Sequence, residues 1–476
     1  MTAKHSATTA DIFIGRKNEL AQFDQAIRPN KLGAILRGPG TGVRPHVFLP
    51  YGIGGMGKTW LARECLKHAQ KAGWMTAEID WDTASTRPTD RLGLMDIVAQ
   101  TLQEKYGEKL AHEYRKTRGR VKQIQDRVLR YQQEHQEKWQ SLVDWVRNAT
   151  EGVVGLVDDK KGKASGVLVQ ATGKAVGAGA RYLAQAEDAF VNWLVETNKL
   201  KPDEALLYRE PEQQLAHQLV DVLDRAADSK PLALLFDTCE WLSLSQEEWL
   251  RDAMVCPAVK TGKPLVFIVS GRYDQSRERR VGREDGSTRS LKGYGDHLTD
   301  PPPVSWNLET FADPEVAEYL QAHELTPTPD LVEFVKRLAR GVPFAVQLIT
   351  QALLKLGIDY VREHFPPSDS NEFSPHEMVT EVTQRFLRYC LEDPVDLERV
   401  RGLAVLRQWD DGGLRAIWRL PADALPRPIL QELEARYSFV LPGGKLHDIV
   451  RDFVRQDLRF SEPETARRLG SAAAGH

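Results

Sequence analysis

Residues 52–59 read Gly-Ile-Gly-Gly-Met-Gly-Lys-Thr, a complete G-x-x-x-x-G-K-[ST] pattern. The apolar run Val47–Tyr51 precedes this stretch, and a helical pattern that begins at Trp60 follows it. Strand, glycine-rich loop and helix is the context in which the pattern binds phosphate. Glycines let successive backbone N–H groups turn toward one anion without Cβ clashes. In such a loop Lys58 contacts the β- and γ-phosphates, and the Thr59 hydroxyl ligates Mg²⁺.

A second glycine-rich stretch, Gly38–Val43, resembles the first but has Val43 where the lysine would stand. We interpret it as a turn, in keeping with a hairpin that precedes the phosphate loop. A chance glycine-rich turn is the alternative for residues 52–59 too, and the flanking strand and helix patterns argue against it.

The bulk composition is that of an ordinary globular protein. The chain has 476 residues, 41% hydrophobic and 28% charged, so we expect roughly two to four domains. The formal net charge of −3 gives no overall field that would favour nucleic acid or anionic membrane. The four cysteines form no C-x-x-C pair, which favours a reducing compartment without structural zinc. Because we find neither a signal-peptide core nor a run of membrane-spanning length, we expect a cytoplasmic protein.

Five short apolar runs fit the buried strands of a parallel sheet. Helical patterns separate them, so we predict an α/β core with a five-stranded parallel sheet. The interval between the second and third run is longer than a compact core needs, and the excess falls at about residues 104–200. The five runs are Val47–Tyr51, Met75–Asp80, Leu232–Asp237, Leu265–Ser270 and Val304–Leu308.

The excess segment is helical in pattern. Between Val121 and Val146, apolar residues recur at three- to four-residue steps, which predicts one long amphipathic helix or a coiled-coil arm. Residues 162–189 are rich in Gly and Ala and contain glycine pairs at small-xxx-small spacing. Such spacing permits close helix packing in a membrane. Lysines interrupt it here, so we favour a helical hairpin packed through small residues.

The polar, basic, Gly- and Pro-rich residues 271–303 predict a long loop that is partly disordered. Its arginine-rich run at 277–280 is better interpreted as solvated loop than as a nucleic-acid patch. Beyond it the pattern is helical, with helices predicted to start at Asp313-Pro314 and Pro329-Asp330 and a third over Phe344–Leu356.

The C-terminal part has the pattern of a winged-helix module. A Pro- and Ser-rich stretch at 366–370 marks a boundary. Residues 374–459 then show four helical patterns and, near their end, a short hairpin whose turn is Pro442–Gly444.

A phosphate loop needs a second acid on a neighbouring strand to hold Mg²⁺. Asp237, which ends the third apolar run, fits this Walker B role. Glu240 could polarise the attacking water as a general base, and a surface residue at a helix start is an equally good interpretation. Arg272 follows the fourth run, where a guanidinium could sense a γ-phosphate. A solvated loop arginine is the alternative.

These features together resemble the STAND class (signal-transduction ATPases with numerous domains), which includes NOD-like receptors and plant resistance proteins of the NB-ARC type. The resemblance covers nearly all of residues 11–460 except the helical insertion. Its five marks, in chain order, are an h-h-G-R-x-x-E-L box at Phe13–Leu20, the G-x-G-G-x-G-K-T loop, Walker B and sensor positions at Asp237 and Arg272, a G-x-P motif at Gly341–Pro343 and an M-H-D-like motif at Leu446–Asp448.

The resemblance implies a P-loop NTPase core of the ASCE type, with a five-stranded parallel sheet and a large helical insertion, followed by an α-helical domain and a winged-helix domain. The implied boundaries are 1–310 for the nucleotide-binding domain with its insertion at about 104–200, 311–370 for the helical domain, 371–461 for the winged helix and 462–476 for the start of a truncated helical region. Because the opening box begins near residue 13 and the chain stops at His476, we expect no effector domain before the core and no sensor repeats after it.

The resemblance also implies roles for individual residues. Ile14 and Arg16 would flank the adenine, Pro343 would pack on the base, and His447 would donate to the β-phosphate of ADP. The candidate catalytic residues are Lys58, Asp237, Glu240 and Arg272. The candidate nucleotide-binding residues are Ile14, Arg16, Gly52, Gly54, Gly55, Met56, Gly57, Lys58, Thr59, Trp60, Pro343 and His447, and Thr59 and Asp237 would hold Mg²⁺.

Two residues depart from the family pattern. Thr238 stands where relatives often have a second acid, which leaves the catalytic role of Glu240 open. Leu446 replaces the Met of M-H-D, and this volume-conserving change should be harmless.

The function implied is an ATP/ADP switch with weak ATPase activity. The winged helix would hold an ADP-bound resting state, and ATP would release it and permit self-association, with a trigger or effector protein as a further partner. One alternative is a DNA-binding, origin-type ATPase, although residues 411–436 mix charges where a recognition surface should be one-sidedly basic. Another is that the insertion itself acts on a partner or membrane.

Overall fold

The computed structural model describes residues 13–28, 46–81, 88–151, 178–282, 288–364 and 394–474, with short gaps in the last range at 407–408, 422, 438, 442, 448–449, 452–453, 456–457 and 460–461. The chain divides into two compact units. The first comprises Met1–Arg87, Ala233–Trp241 and Val266–His476, and the second comprises Pro88–Leu232 and Leu242–Leu265. The glycine-rich stretch at 38–43, the small-residue segment at 162–177, the boundary at 366–370 and Asp448 lie outside the described residues.

The five apolar runs form one five-stranded sheet, as predicted. Its strands are β1 (His46–Tyr51), β2 (Met75–Asp80), β3 (Leu232–Asp237), β4 (Leu265–Val269) and β5 (Val304–Asn307). Their order across the sheet is β2-β3-β4-β1-β5. The first strand lies between two parallel neighbours, with Phe48 opposite Ile268 on one side and Val304 on the other. Because every residue of β3 and β4 is buried, these strands read as continuous apolar runs.

Two helices lie before and after the strand β1 and its phosphate loop in sequence. Helix α1 (Lys17–Ile27) begins within the opening box, and α2 (Lys58–Lys71) begins at the loop lysine. The apolar face of α2 is buried, and α1 lies against it. His68 Nδ1 lies 2.8 Å from Asp24 Oδ1 and ties the two helices together.

The second unit is helical. It contains α3 (Arg91–Tyr106), α4 (His112–Glu134), α5 (Gln136–Glu151), α6 (Ala178–Glu196), α7 (Pro202–Arg209), α8 (Pro211–Ser229), α9 (Leu244–Trp249), a π-helical turn (Leu250–Val255) and α10 (Cys256–Lys260). The prediction of one long helix or coiled-coil arm was wrong. The helix ends before His135, after which α5 pairs with α6 while α4 packs on α8 and buries Val121, Ile124 and Val128.

Part of the predicted loop at 271–303 has regular structure. Residues Arg279–Gly282 pair antiparallel with Thr288–Leu291, so the prediction of a long, partly disordered loop was wrong for these two strands. The segment that follows packs closely, because the Tyr294 and Gly295 amides donate to the carbonyls of Gln275 and Ser276.

The described helices after β5 are α11 (Asp313–Ala322), α12 (Pro329–Ala339), α13 (Pro343–Leu356), α14 (Ile358–His364), α15 (Pro394–Val405), α16 (Asp411–Trp418), α17 (Pro426–Arg436) and α18 (Pro463–Ala474). The first three begin at, or one residue before, the positions that the sequence predicts. The predicted short hairpin, here called the wing hairpin, pairs Val440–Leu441 with Lys445–Leu446.

One hydrophobic core runs through the first unit. It includes Phe48 and Ile268 of the sheet, Val346 of α13, and Leu403 and Phe439 of the C-terminal part. This continuity packs the phosphate-loop strand and the wing hairpin into one body. Within the described residues, no helix has the length and apolar character to cross a membrane.

Candidate functional site

The loop between β1 and α2 has a backbone that only its glycines adopt without strain. Gly52, Gly55 and Gly57 have φ of 147°, 80° and 83°. A Cβ on Gly57 would meet no atom within 4 Å, so the left-handed backbone itself is the reason for glycine there. Lys58 Nζ donates to the carbonyls of Gly52 at 2.8 Å and Ile53 at 2.9 Å. The ammonium thus lies against the loop, where anionic oxygens could replace these carbonyls.

Asp237 ends β3 as a buried carboxyl with an unsatisfied oxygen. It is 1% exposed. Burial raises its pKa, and the charge of Asp80 raises it further, whereas the hydroxyls of Thr59 and Ser270 lower it. Within the described part of the chain, Asp237 Oδ2 has no hydrogen-bond partner. A buried oxygen without a partner costs free energy. A cation or a water molecule bound to Asp237 Oδ2 would remove this cost. The two predicted Mg²⁺ ligands, Thr59 and Asp237, are thus brought together.

Sequence reasoning missed Asp80, which ends β2. The Thr238 hydroxyl donates to Asp80 Oδ1 at 2.7 Å, and Lys445 Nζ donates to Oδ2 at 2.5 Å. Thr238 itself has φ of 56°, a left-handed conformation that is rare for a β-branched residue. The available signal was an acid at the carboxyl end of a parallel strand, where open α/β sheets place their ligands.

Arg272 and Glu240, the predicted sensor and the candidate general base, form an ion pair with each other. Arg272 Nε lies 3.1 Å from Glu240 Oε1. Glu240 Oε2 is buried without a hydrogen-bond partner among the described residues. Arg272 therefore binds the carboxylate of Glu240, the residue predicted as the general base.

A pocket of about 610 Å³, including its open mouth, adjoins the phosphate loop. Most of its wall is aromatic or apolar, as small-molecule sites usually are. It includes eight of the predicted binding residues, whereas Gly52, Gly54, Lys58 and Thr59 belong to the loop but do not line this pocket. Its lining consists of Phe13, Ile14, Arg16, Gly55, Met56, Gly57, Trp60, Phe311, Tyr319, Pro343, Phe344, Gln347 and His447.

Arg16 fixes one wall of the pocket. Its Nη2 donates to the carbonyls of Met56 at 3.2 Å and Glu309 at 2.5 Å, and its guanidinium lies 5.8 Å from the centre of the Phe311 ring. Burial lowers the pKa of the guanidinium. The side chain thereby joins the phosphate loop to the segment that follows β5.

The start of α13 fixes a second part of the wall. Gly341, with φ of 70°, follows α12 and turns the chain so that Pro343 is the first residue of α13. The Phe344 amide then donates to the Gly55 carbonyl of the phosphate loop at 3.1 Å. Pro343 suits this position because the first helical residue needs no N–H donor.

His447 brings the wing hairpin into the pocket. Its ring stacks on Phe344, with centroids 3.8 Å apart and planes inclined by 12°. Its Nδ1 is buried and has no hydrogen-bond partner in the described ranges. Burial, together with the positive charges of Lys58, Lys445 and Arg451, lowers the pKa of His447 to about 3. The ring is therefore neutral at pH 7 in this structure.

This shift predicts that the wing hairpin of nucleotide-free protein loosens in acid. Docking lowers the pKa of His447 from its ordinary value of about 6.5 to about 3, so the docked wing hairpin favours the neutral ring. The docked state is therefore most stable above about pH 6.5 and loses stability as the pH falls below that value. Between pH 7.5 and 5.5 docking should weaken by about 1.4 kcal/mol, or about tenfold. Amide hydrogen exchange of residues 440–446 at the two pH values measures this. His447→Gln is the control, and an equal acid response in that variant would contradict the assignment.

These features fit a nucleoside phosphate and its cation. The lysine-bearing loop suits the phosphates, the apolar pocket suits a flat base, and the unpaired Asp237 oxygen suits Mg²⁺. His447 lines the same pocket, and its Nδ1 lacks a hydrogen-bond partner among the described residues.

Comparison with known protein families identifies an ATPase domain in the chain. The AAA ATPase domain family matches residues 12–268. No curated protein sequence matches the chain significantly. Similar solved structures include a STAND protein with a tetratricopeptide repeat sensor from Pyrococcus horikoshii, at 13% identity and a TM-score of 0.43, covering 98% of this chain and 46% of that one.

Two further similar structures are more distant in fold. Cdc6p from Pyrobaculum aerophilum has 10% identity and a TM-score of 0.31, covering 98% of this chain and 96% of that one. The Orc1 protein of Aeropyrum pernix, solved in complex with DNA, has 15% identity and a TM-score of 0.30, covering 96% and 95%. These likenesses are too remote to decide function, and the chain spans less than half of the Pyrococcus protein.

The matched span covers more than half of the chain and contains β1, the phosphate loop, α2 and β3 with Asp237. The sheet order and the loop geometry agree with that match. The chain belongs to the AAA ATPase domain family, and residues 12–268 are its nucleotide-binding P-loop ATPase domain.

Proposed function

We propose that this protein is an ATP/ADP switch with slow hydrolysis, in which the wing hairpin closes the nucleotide site. The observation that carries the proposal is the position of His447, stacked on Phe344 in the pocket beside the phosphate loop. A side chain of a C-terminal domain that lines the nucleotide pocket gives the nucleotide a contact that exists only while that domain is docked.

Different residues of the chain would bind the phosphates, the Mg²⁺ ion and the base of the nucleotide. The phosphate loop and Lys58 would bind the phosphates, and Thr59 with Asp237 would hold the cation. Ile14, Trp60 and Pro343 would enclose the base. The nucleotide, when bound, supplies the negative charge that favours a hydrogen bond from His447.

The coupling between nucleotide and wing follows from differential contacts. A ligand shifts a conformational equilibrium only by the difference in its affinity for the two states. ADP would favour the docked state through His447, and the extra phosphate of ATP would change the charge near Lys58 and release the wing. Release would then expose surface for self-association.

The ion pair between Arg272 and Glu240 supports slow hydrolysis. A general base must be free to accept a proton from the attacking water. Here Glu240 is held by a guanidinium 3.1 Å away, so activation would require Arg272 to turn toward another anion, such as a γ-phosphate.

The charges of the winged-helix part favour the switch over DNA binding. Arg436 pairs with Asp396 and Glu432, and Arg427 lies 3.5 Å from Asp411. Arginines engaged in this way are already neutralised within the domain, whereas a DNA-reading surface should present unneutralised positive charge.

The retention of ADP by His447→Ala tests the proposal. We expect ADP to dissociate about tenfold faster or more, because the docked state loses its contact with the nucleotide. Stopped-flow release of a fluorescent ADP analogue measures the rate. His68→Ala, which removes a histidine of α2 that does not line the pocket, is the control. An unchanged rate of release from His447→Ala would refute the clamp.

A further inference from the structure

The carboxyl ends of β2 and β3 bring two acids together. Asp237 is 1% exposed, and the side chain of Asp80 is 13% exposed. The charge of Asp80 acts on Asp237 strongly enough to be the second-largest cause of its raised pKa. Two carboxylates at adjacent strand ends disfavour each other unless a cation compensates them.

The wing hairpin supplies one such cation in this structure, in addition to the positive charge of Arg63 on α2, which acts on both acids. Lys445 Nζ lies 2.5 Å from Asp80 Oδ2, and its side chain is 28% exposed. Lys445 stands two residues before His447, so the short strand Lys445–Leu446 and the residue directly after it bring both side chains to the nucleotide domain. An ion pair with little exposure is screened less by solvent than a surface pair.

Thr238, the residue after Asp237, connects Asp80 of β2 to the end of β3. Thr238 directly follows the end of β3 at Asp237, and its hydroxyl donates to Asp80 Oδ1. Thr238 holds this contact in a left-handed backbone, which persists only where surrounding interactions support it. The carboxyl ends of β2 and β3 therefore carry one carboxylate each, Asp80 and Asp237, and Thr238 links the two.

We propose that Asp80 is the second carboxylate of the cation-nucleotide site, and that Lys445 of the docked wing competes with the divalent cation for its negative charge. The proposal rests on the proposed function, because it assumes that the wing docks and undocks. Asp80 acts as a positioning residue: it orients Thr238 and adds negative charge beside Asp237, without touching the phosphates.

The competition makes wing docking and cation binding antagonistic. With Lys445 in place, Asp80 is neutralised, and the acid pair attracts Mg²⁺ less. Once Lys445 leaves, the pair carries less compensating positive charge and binds Mg²⁺ more tightly. By linkage, Mg²⁺-ATP must weaken docking of the wing by the same factor.

The experiment measures the ratio of ATP affinity with Mg²⁺ to ATP affinity in EDTA by calorimetry, which needs no hydrolysis. We expect Lys445→Met to raise this ratio about tenfold and Asp80→Asn to lower it about tenfold. The double variant should equal Asp80→Asn alone, because the lysine acts only through that acid. Lys336→Met, which breaks the Lys336–Asp313 ion pair elsewhere in the same unit, should leave the ratio unchanged.

Additive effects of Asp80→Asn and Lys445→Met would overturn the proposal, as would a Lys445→Met ratio equal to that of Lys336→Met. If Asp80→Asn does not fold, Lys445→Met and the charge-conserving Lys445→Arg decide the matter, since only the former should raise the ratio. A failure here leaves the effect of His447→Ala on ADP release intact. Loss of the His447 effect with the ratios as expected would instead contradict the nucleotide clamp.

Discussion

Replacement of Lys58 by alanine should lower the affinity for both ATP and ADP by about 100-fold, or about 2.7 kcal/mol. The ammonium lies against the Gly52 and Ile53 carbonyls of the phosphate loop. A hydrogen bond between charged groups contributes about 1.5–3 kcal/mol, about twice a neutral one. No other side chain of the loop stretch 52–59 carries a positive charge, so none there can replace Lys58.

Calorimetric titration of nucleotide into Lys58→Ala and wild type measures this loss. Lys71→Ala is the matched control, because it removes an exposed lysine at the far end of the same helix. We expect wild-type affinity in that variant and unchanged thermal unfolding in both. Wild-type affinity in Lys58→Ala would contradict nucleotide binding at this loop.

Gly341→Ala should destabilise the first unit by about 3 kcal/mol or more, the range of severe core changes. An added Cβ would lie 2.5 Å from the Phe311 carbonyl oxygen and 3.1 Å from Thr310 Cβ. The same backbone needs φ of 70°, which costs an L-residue about 1–2 kcal/mol. The contact cannot relax freely, because the Phe311 amide donates to the Gly341 carbonyl at 2.6 Å.

Gly357→Ala distinguishes backbone strain from the close approach to Phe311 as the cause of the lost stability. The φ of Gly357, 87°, is also positive and, with ψ of 157°, lies in a region essentially restricted to glycine, but a Cβ there would meet nothing within 4 Å. We expect a loss of about 1–3 kcal/mol, smaller than that of Gly341→Ala. Urea unfolding followed by tryptophan fluorescence compares the variants. Equal losses at the two positions would show that the close approach to Phe311 contributes nothing.

Gly341→Ala should also weaken nucleotide binding. The residue sets the start of α13, from which the Phe344 amide reaches the Gly55 carbonyl. A shift of this start would move Pro343 and Phe344, two walls of the pocket. Gly357, at the other end of α13, should not have this effect.

The sheet and the phosphate loop could be predicted because their signals are local. A strand covered on both faces is apolar at every position, as the burial of β3 and β4 shows. The loop requires glycines for its backbone and a lysine at a fixed offset, so the pattern is complete within eight residues. The starts of α11, α12 and α13 were likewise predictable from proline at the first turn.

Two predictions failed, the first because distant residues override a local pattern and the second because the local pattern is missing. The apolar spacing from Val121 to Val146 is that of one helix, yet the helix breaks at His135. There the imidazole meets Trp193 edge-on at 5.1 Å and contacts Lys199, residues about 60 positions away. The 279–291 hairpin was missed because its charged strands lack the apolar alternation of a half-buried strand.

The sequence by itself determined that the protein has a P-loop ATPase domain. The strand, the glycine-rich loop with its lysine and the Walker B acid can each be recognised from a few consecutive residues. Only the tertiary structure decided how the site is completed. It pairs Arg272 with Glu240, stacks His447 on Phe344 and joins Lys445 to Asp80. These partners are 32, 103 and 365 positions apart. Charge pairing and stacking depend on distance in space, and no local pattern encodes contacts across such separations.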